Sequence, residues 1–226
     1  MKIFHGGLRK VDLQMVIIDN VISMEELNRM YKFFTTYDLK FQTRSPTLTL
    51  QNMTLRHRGQ KPVKYFPLAR FPLHVAKDLF KKINEYYPDY ELDPDFTGVL
   101  QHPTDFNHTP HYDFFEDQYI GKEDQMKRIL FYVVPRWEGG WGGNTEFYGR
   151  WNNEKEDPDV CVIKPNRMVV FDWDEYHTGT PWNSSEVTRT VITLYIWKNA
   201  EPRTKERIYN YIWGRQRPRY AEEFKQ

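Results

Sequence analysis

Two segments far apart in the chain carry side chains that could do chemistry together. His111-Tyr112-Asp113 lies in TPHYDFF; His177 lies in FDWDEYHTGTP, with Arg189 twelve residues further on at the start of an apolar run. Two imidazoles and one carboxylate on one face of a metal ion leave the opposite positions open, which suits non-heme Fe(II) and the activation of oxygen. Alternation along a strand puts residues 111 and 113 on one face, so both can reach the same ion. An HxD pair alone is a weak signal, because such residues are common on solvated surfaces. The same ligands suit Zn(II) and hydrolysis. A buried arginine behind the metal could hold a carboxylate through two parallel hydrogen bonds, and a zinc hydrolase has no use for it.

Five other histidines compete: His5, His57, His74, His102 and His108. None has a partner at metal spacing outside the 105–111 stretch, and no carboxylate follows His108 two residues later. His102 reads as a strand-end or loop residue, with a supporting place around the metal as the alternative.

These residues must be positioned by a scaffold. Residues 13–21 alternate loosely and read as a strand. Ser23 then caps a helix whose first turn holds Glu25 and Glu26, and Leu27, Met30, Tyr31 and Phe34 recur along one face. Residues 38–72 show no clear period. Residues 73–87 predict a second amphipathic helix, stopped by Pro88. From about Asp95 the pattern turns to strands: 96–101, 128–134, a glycine-rich turn and strand over 139–148, a hairpin of 160–165 with 168–173 turning at Pro165-Asn166, and a long strand over 189–198. His177 falls in a turn with Gly179 and Pro181. After Lys198 the chain is polar; Arg203–Trp213 suits a helix, and Arg215, Arg217 and Arg219 cluster beside Tyr220.

Helices first and many short strands afterwards predict an α+β, mainly β fold: a jelly roll backed by N-terminal helices. The 226 residues suit a single domain, with 1–94 as helical support and rim, 95–198 as the jelly-roll core and 199–226 as a C-terminal extension. Mean hydropathy is low at −0.78, but aromatics reach 16%, so the core is expected to rest on Phe, Tyr and Trp. A formal net charge of +1 argues against nucleic acid as the main partner and gives no field for a membrane. The one cysteine, Cys161, excludes an intramolecular disulfide and reads as a buried strand residue. No stretch is apolar for long enough to span a bilayer, and no signal-peptide core is evident at the start. A cytoplasmic protein is the expectation.

The residues resemble the Fe(II)/2-oxoglutarate-dependent dioxygenases, and within them the prolyl 4-hydroxylase-like branch. The resemblance spans roughly 96–198. It is carried by His111-x-Asp113, by Trp141-Gly142-Gly143-Asn144-Thr145-Glu146-Phe147-Tyr148, by Phe171-Asp172 leading to His177, and by Arg189. It implies a double-stranded β-helix, the cupin-like form of the jelly roll. It implies His111, Asp113 and His177 as iron ligands and Arg189 as the partner of the distal carboxylate of 2-oxoglutarate. Tyr132 is the matching candidate for a second contact to that carboxylate, with Arg128 as a rival and an aromatic core role as the other reading. Where relatives often carry a tyrosine near the metal, this register gives Gln101. The interval from His177 to Arg189 is slightly longer than the branch's usual one.

The activity implied is hydroxylation with release of succinate and CO2. Fe(II) would be the cofactor, 2-oxoglutarate and dioxygen the co-substrates, and ascorbate an optional addition. The branch suggests a prolyl or other peptidyl residue as substrate; a small molecule and nucleic acid stay open, as does a non-catalytic jelly-roll binding module. The loops 43–64 and 114–127, and Trp137, Trp141, Trp151, Trp173 and Trp182, are candidates for substrate contact or for plain packing.

Overall fold

A computed structural model describes residues 15–36, 64–67, 75–102, 104, 110–111, 125–150, 157–172 and 175–198. The expected helix Arg203–Trp213, the basic cluster after it, the two loop candidates up to residue 124, Trp151 and Trp173 lie outside the described residues.

Ser23 starts the first helix, α1 (Met24–Thr36), as the sequence predicts: its Oγ accepts a hydrogen bond from the Glu26 backbone N–H at 3.1 Å. This satisfies one of the donors that a helix start leaves without a partner. Leu27, Met30 and Phe34 then fall on one buried face. The second helix, α2 (Lys77–Tyr86), begins later than the 73–87 periodicity suggests and buries Leu79 and Ile83.

The described residues hold nine strands, two of them ahead of the shift to β expected near Asp95. They are β1 (Val16–Asp19), β2 (Lys64–Pro67), β3 (Tyr90–His102), β4 (Met126–Tyr132), β5 (Thr145–Arg150), β6 (Asp159–Cys161), β7 (Arg167–Asp172), β8 (Glu175–Gly179) and β9 (Arg189–Lys198). Six form one sheet in the order β1-β7-β4-β9-β3-β2; three form another in the order β6-β5-β8. All pairings are antiparallel.

The larger sheet is buried on both faces, which explains the continuous apolar runs in β4, β7 and β9. On one face Val99, Ile129, Phe131, Met168, Val170, Ile192 and Leu194 pack with Leu27, Met30, Phe34, Leu79 and Ile83 of the helices. On the other, Leu130, Tyr132, Val169, Phe171 and Val191 meet Phe147 and Cys161 of the smaller sheet. This second layer is the jelly-roll interior, so the fold is α+β and mainly β, with the helices behind the larger sheet. Cys161 is buried within it, and burial pushes its thiol up to about 11.

Two sequence expectations change. The Pro165-Asn166 turn does not close a hairpin: β6 pairs with β5 in the smaller sheet, while β7 pairs with β1 and β4 in the larger. The turn carries the chain from one sheet to the other. Asn166 sits there at φ 59°, a conformation asparagine tolerates. Its side chain accepts from Ile22 N at 3.0 Å and donates to Ile22 O at 2.5 Å, tying the turn to the start of α1. The second change concerns His177, which lies within a strand, β8, rather than in a turn.

The edge strand β1 is fastened by a fork of two hydrogen bonds, Arg167 Nε to Asp19 Oδ1 at 2.6 Å and Nη2 to Oδ2 at 2.8 Å, across the Asp19–Arg167 register pair. That hydrogen bond holds the Asp19 carboxyl below its usual value. A depressed carboxyl stabilises the fold above the ordinary carboxylate range, and the contribution is lost as pH falls through the folded value. Asp19→Asn should therefore lower the urea midpoint at about pH 7, with the gap to the wild type closing at about pH 3. An equal gap at both pH values would mean that charge is not what fastens β1.

Candidate active site

The strand β8 brings the two predicted imidazoles together. His111 and His177 exchange both backbone hydrogen bonds, N to O at 2.9 and 3.0 Å, as a bridged antiparallel pair. Residues opposed in this way share a face. Their rings stand 4.7 Å apart between centroids. Phe171 meets the His177 ring edge-on at 5.1 Å, and Phe147, opposite His177 in the β5–β8 register, lies at 6.1 Å.

His177 is 4% exposed, and its Nδ1 lies 2.8 Å from the Glu175 carbonyl oxygen. A carbonyl can only accept, so Nδ1 carries the proton and the lone pair of the neutral ring sits on Nε2. This is how a metal-binding histidine is usually oriented by its surroundings. Asp113 lies outside the described residues; among those described, no group of three His, Cys, Asp or Glu side chains gathers to hold a metal.

Both histidines face a cavity of about 50 Å³ between the sheets. Leu100 and His102 of β3, Arg128 and Leu130 of β4, Thr145 of β5 and Arg189 and Val191 of β9 also line it. Arg189 is 4% exposed. Its Nε donates to the Gly143 carbonyl at 3.1 Å and its Nη1 to His102 Nδ1 at 2.6 Å. Both acceptors are neutral, and no carboxylate pairs with it among the described residues. Desolvation pulls its pKa below the ordinary arginine value. A buried guanidinium held only by neutral acceptors is costly unless an anion completes it. The cavity wall thus joins a pair of imidazoles that suits a metal with a cation that suits a carboxylate.

Gly142 and Gly143 have φ of 71° and 77°, and a side chain on either would collide with neighbours. A Cβ on Gly143 would lie 2.5 Å from the Trp182 ring and 3.2 Å from Arg189 Nε. This explains the glycine pair of the WGGNTEF motif: backbone approaches Arg189 where a side chain would intrude. Asn144 accepts from Ile163 N at 3.1 Å through Oδ1 and pins the turn to the segment after β6.

For Tyr132 the resemblance offered a contact to the co-substrate carboxylate, with an aromatic core role as the other reading. The structure puts its hydroxyl 2.7 Å from Thr145 Oγ1, and it is Thr145 that lines the cavity. Tyr132 is fully buried in the inter-sheet core, where desolvation raises its pKa well beyond the ordinary phenol value. Gln101 is on the opposite face, donating to the Phe34 carbonyl at 3.0 Å, while its neighbour His102 faces the cavity. Thr145 is the cavity residue that sequence reasoning left without a role, and His102 had a supporting place only as its alternative reading.

The cavity between the sheets is thus walled by two imidazoles and a buried arginine within a jelly-roll fold. Residues 97–197 match the family model of the 2OG-Fe(II) oxygenase superfamily, from within β3 to the penultimate residue of β9. Over this stretch the chain is similar to the 2OG-Fe(II) oxygenases, whose cofactor and co-substrate are Fe(II) and 2-oxoglutarate. No curated protein matches the sequence.

Among solved structures the chain is similar to a prolyl hydroxylase from Trichoplax adhaerens, in complex with a hypoxia inducible factor oxygen degradation domain peptide fragment. The TM-score is 0.57 and the identity 15%, covering 81% of this chain and 83% of that one. It is similar to a viral collagen prolyl hydroxylase from Paramecium Bursaria Chlorella virus-1 in its 2OG complex, at TM-score 0.52 and 16% identity, covering 81% and 94%. It is also similar to HygX from Streptomyces hygroscopicus with nickel and 2-oxoglutarate bound, at TM-score 0.56 and 10% identity, covering 83% and 84%. At these identities the likeness is one of fold.

Gly143→Ala should lower stability by about 2–4 kcal/mol, combining left-handed strain with overpacking. It should also weaken 2-oxoglutarate binding, because the Arg189 acceptor must move. Gly140→Ala is the control: φ is 95° there, but nothing lies within 4 Å of the added Cβ, so only the strain remains. Equal losses of stability and of calorimetric 2-oxoglutarate affinity in both variants would contradict the contact.

Proposed function

We propose that His111, Asp113 and His177 hold Fe(II), that Arg189 receives the distal carboxylate of 2-oxoglutarate, and that the enzyme hydroxylates a peptidyl residue, with proline the first candidate. One observation carries the site: two bridged histidines share a 50 Å³ cavity with a buried arginine that no carboxylate neutralises among the described residues. When bound, Fe(II) and 2-oxoglutarate supply the oxidative chemistry, one oxygen atom of O2 going to the substrate and one to succinate, with release of CO2. In an extended strand, residues two apart share a face, which is the ground for taking Asp113 with His111. The Glu175 carbonyl keeps the His177 ring turned for ligation. Tyr132 acts through Thr145, fixing that hydroxyl at the cavity wall. Phe147, Phe171, Leu130 and Val191 exclude water, which strengthens every charge interaction within.

The peptidyl reading draws on the fold shared with the Trichoplax and viral prolyl hydroxylases. A second reading, a small anionic metabolite, has its own observation. Arg128 is buried, lines the same cavity and holds its guanidinium 4.8 Å from the Tyr195 ring centroid. The buried lone cysteine fits a cytoplasmic setting.

The test is succinate release with Fe(II), 2-oxoglutarate, O2 and ascorbate, first alone and then with proline-containing peptides, small carboxylates or oligonucleotides. Stimulation by a proline peptide, with a mass gain of one oxygen, is the expected result. Stimulation by small anions alone, lost in Arg128→Ala, would replace the peptidyl reading with the second. His177→Ala should abolish turnover. Arg189→Ala should weaken 2-oxoglutarate about a hundredfold or more, the scale of breaking a buried ion pair. Activity surviving both substitutions would contradict the proposed site.

A further inference from the structure

Arg189 has a neighbour that its proposed role does not explain. His102 ends β3, and Arg189 begins β9 as its register partner. His102 is buried, and its Nδ1 stands 2.6 Å from Arg189 Nη1, with Nε2 3.4 Å from the same atom. A guanidinium has donors and no acceptor, so the short contact requires a lone pair on Nδ1. The imidazole is therefore neutral there, with its proton on Nε2. A protonated ring would set a second cation against a buried first one.

The hydrogen bond also fixes direction. The Gly143 carbonyl takes the Nε–H, and His102 takes one Nη1–H. The guanidinium is thus held at two points on a rigid frame of β3, β9 and the glycine turn. Its remaining N–H groups, on Nη1 and Nη2, form an end-on pair, and Arg189 lines the cavity. A planar fork held in this way presents two parallel donors to a carboxylate. With one anchor missing, the fork turns about its own stem, and the entropy of fixing it falls on ligand binding.

We infer that His102 is a positioning residue, which orients Arg189 as a neutral acceptor and thereby makes the site select 2-oxo acids bearing a distal carboxylate. The inference rests on the reading of Arg189 given above and adds the residue that sets its geometry. It predicts a specificity effect confined to one end of the co-substrate.

The experiment measures binding by calorimetry on the full chain with Mn(II), in the wild type, His102→Leu, His102→Asn and Arg189→Ala. Two ligands are compared: 2-oxoglutarate, and 2-oxopentanoate, in which a methyl group replaces the distal carboxylate. His102→Leu should weaken 2-oxoglutarate by about 10- to 100-fold, the usual scale for losing a supporting partner. It should leave 2-oxopentanoate and Mn(II) affinity unchanged. His102→Asn, whose Oδ1 can replace Nδ1 as acceptor, should recover most of the loss. If both ligands weaken equally, or His102→Asn behaves like His102→Leu, the side chain serves packing and the inference fails. If Arg189→Ala abolishes the preference for 2-oxoglutarate and His102→Leu leaves it intact, the inference alone fails. If Arg189→Ala also leaves it intact, the role proposed for Arg189 fails, and the inference with it.

Discussion

Burying the positive charge of Arg189 is the constraint on which the site depends. A guanidinium taken from water must have its donors satisfied and its charge met. The fold answers the first need with neutral groups: the Gly143 carbonyl and the His102 imidazole. The second need is left to whatever enters the cavity. The glycine turn exists because a carbonyl must come close to Nε where a Cβ would not fit. Trp182 covers the same glycine, with its indole N–H spent on the Val187 carbonyl at 2.8 Å. What looks like a sequence motif is thus the packing shell of one charge.

Strand β9 makes this possible. Nine of its ten residues are buried, because one face meets the helices and the other the cavity. Thr190, Ile192, Leu194 and Ile196 alternate with Arg189, Val191, Thr193 and Tyr195. The helices therefore contribute to function at one remove: they complete the outer face of the sheet whose inner face carries Arg189, Arg128 and His102. The histidine pair belongs to the opposite wall, where β8 pairs with β5 and bridges His111. Metal-suited and carboxylate-suited groups thus come from two sheets, and the spacing between those sheets sets the spacing between the groups.

Much of this was legible in the sequence, for identifiable reasons. RILFYVV and RTVITLYIWK are apolar runs of strand length, and strands buried on both faces read that way. Ser23 with Glu26 three residues on marked a helix start, and its hydrogen bond is present. His111, His177 and Arg189 stood out because their chemistry has few bland uses in combination. Other features were not legible. EYHTG has no apolar run, so β8 read as a turn although its pairing with β5 makes it a strand. Pro165-Asn166 announced a turn but could not say which sheet followed it. In TGVLQH both faces are buried, so no alternation fixed the parity of β3, and a slip of one residue exchanges faces. The register of the branch's tyrosine falls on Gln101, whereas of these two residues it is His102 that lines the cavity. The two readings of Tyr132 could not be told apart from sequence, because the depth of a core residue depends on what packs in front of it; here that is Thr145.

The central claim is that one ion bridges His111, Asp113 and His177 while Arg189 meets the far carboxylate of 2-oxoglutarate in the same cavity. Its most direct test is an anaerobic crystal structure with Mn(II) and 2-oxoglutarate, the metal located by anomalous scattering. The account predicts the metal peak on Nε2 of His177, shared with His111 and Asp113, and the distal carboxylate on the Nη1–Nη2 edge of Arg189. A metal held elsewhere, or a 2-oxoglutarate whose distal carboxylate lies away from Arg189, would contradict it.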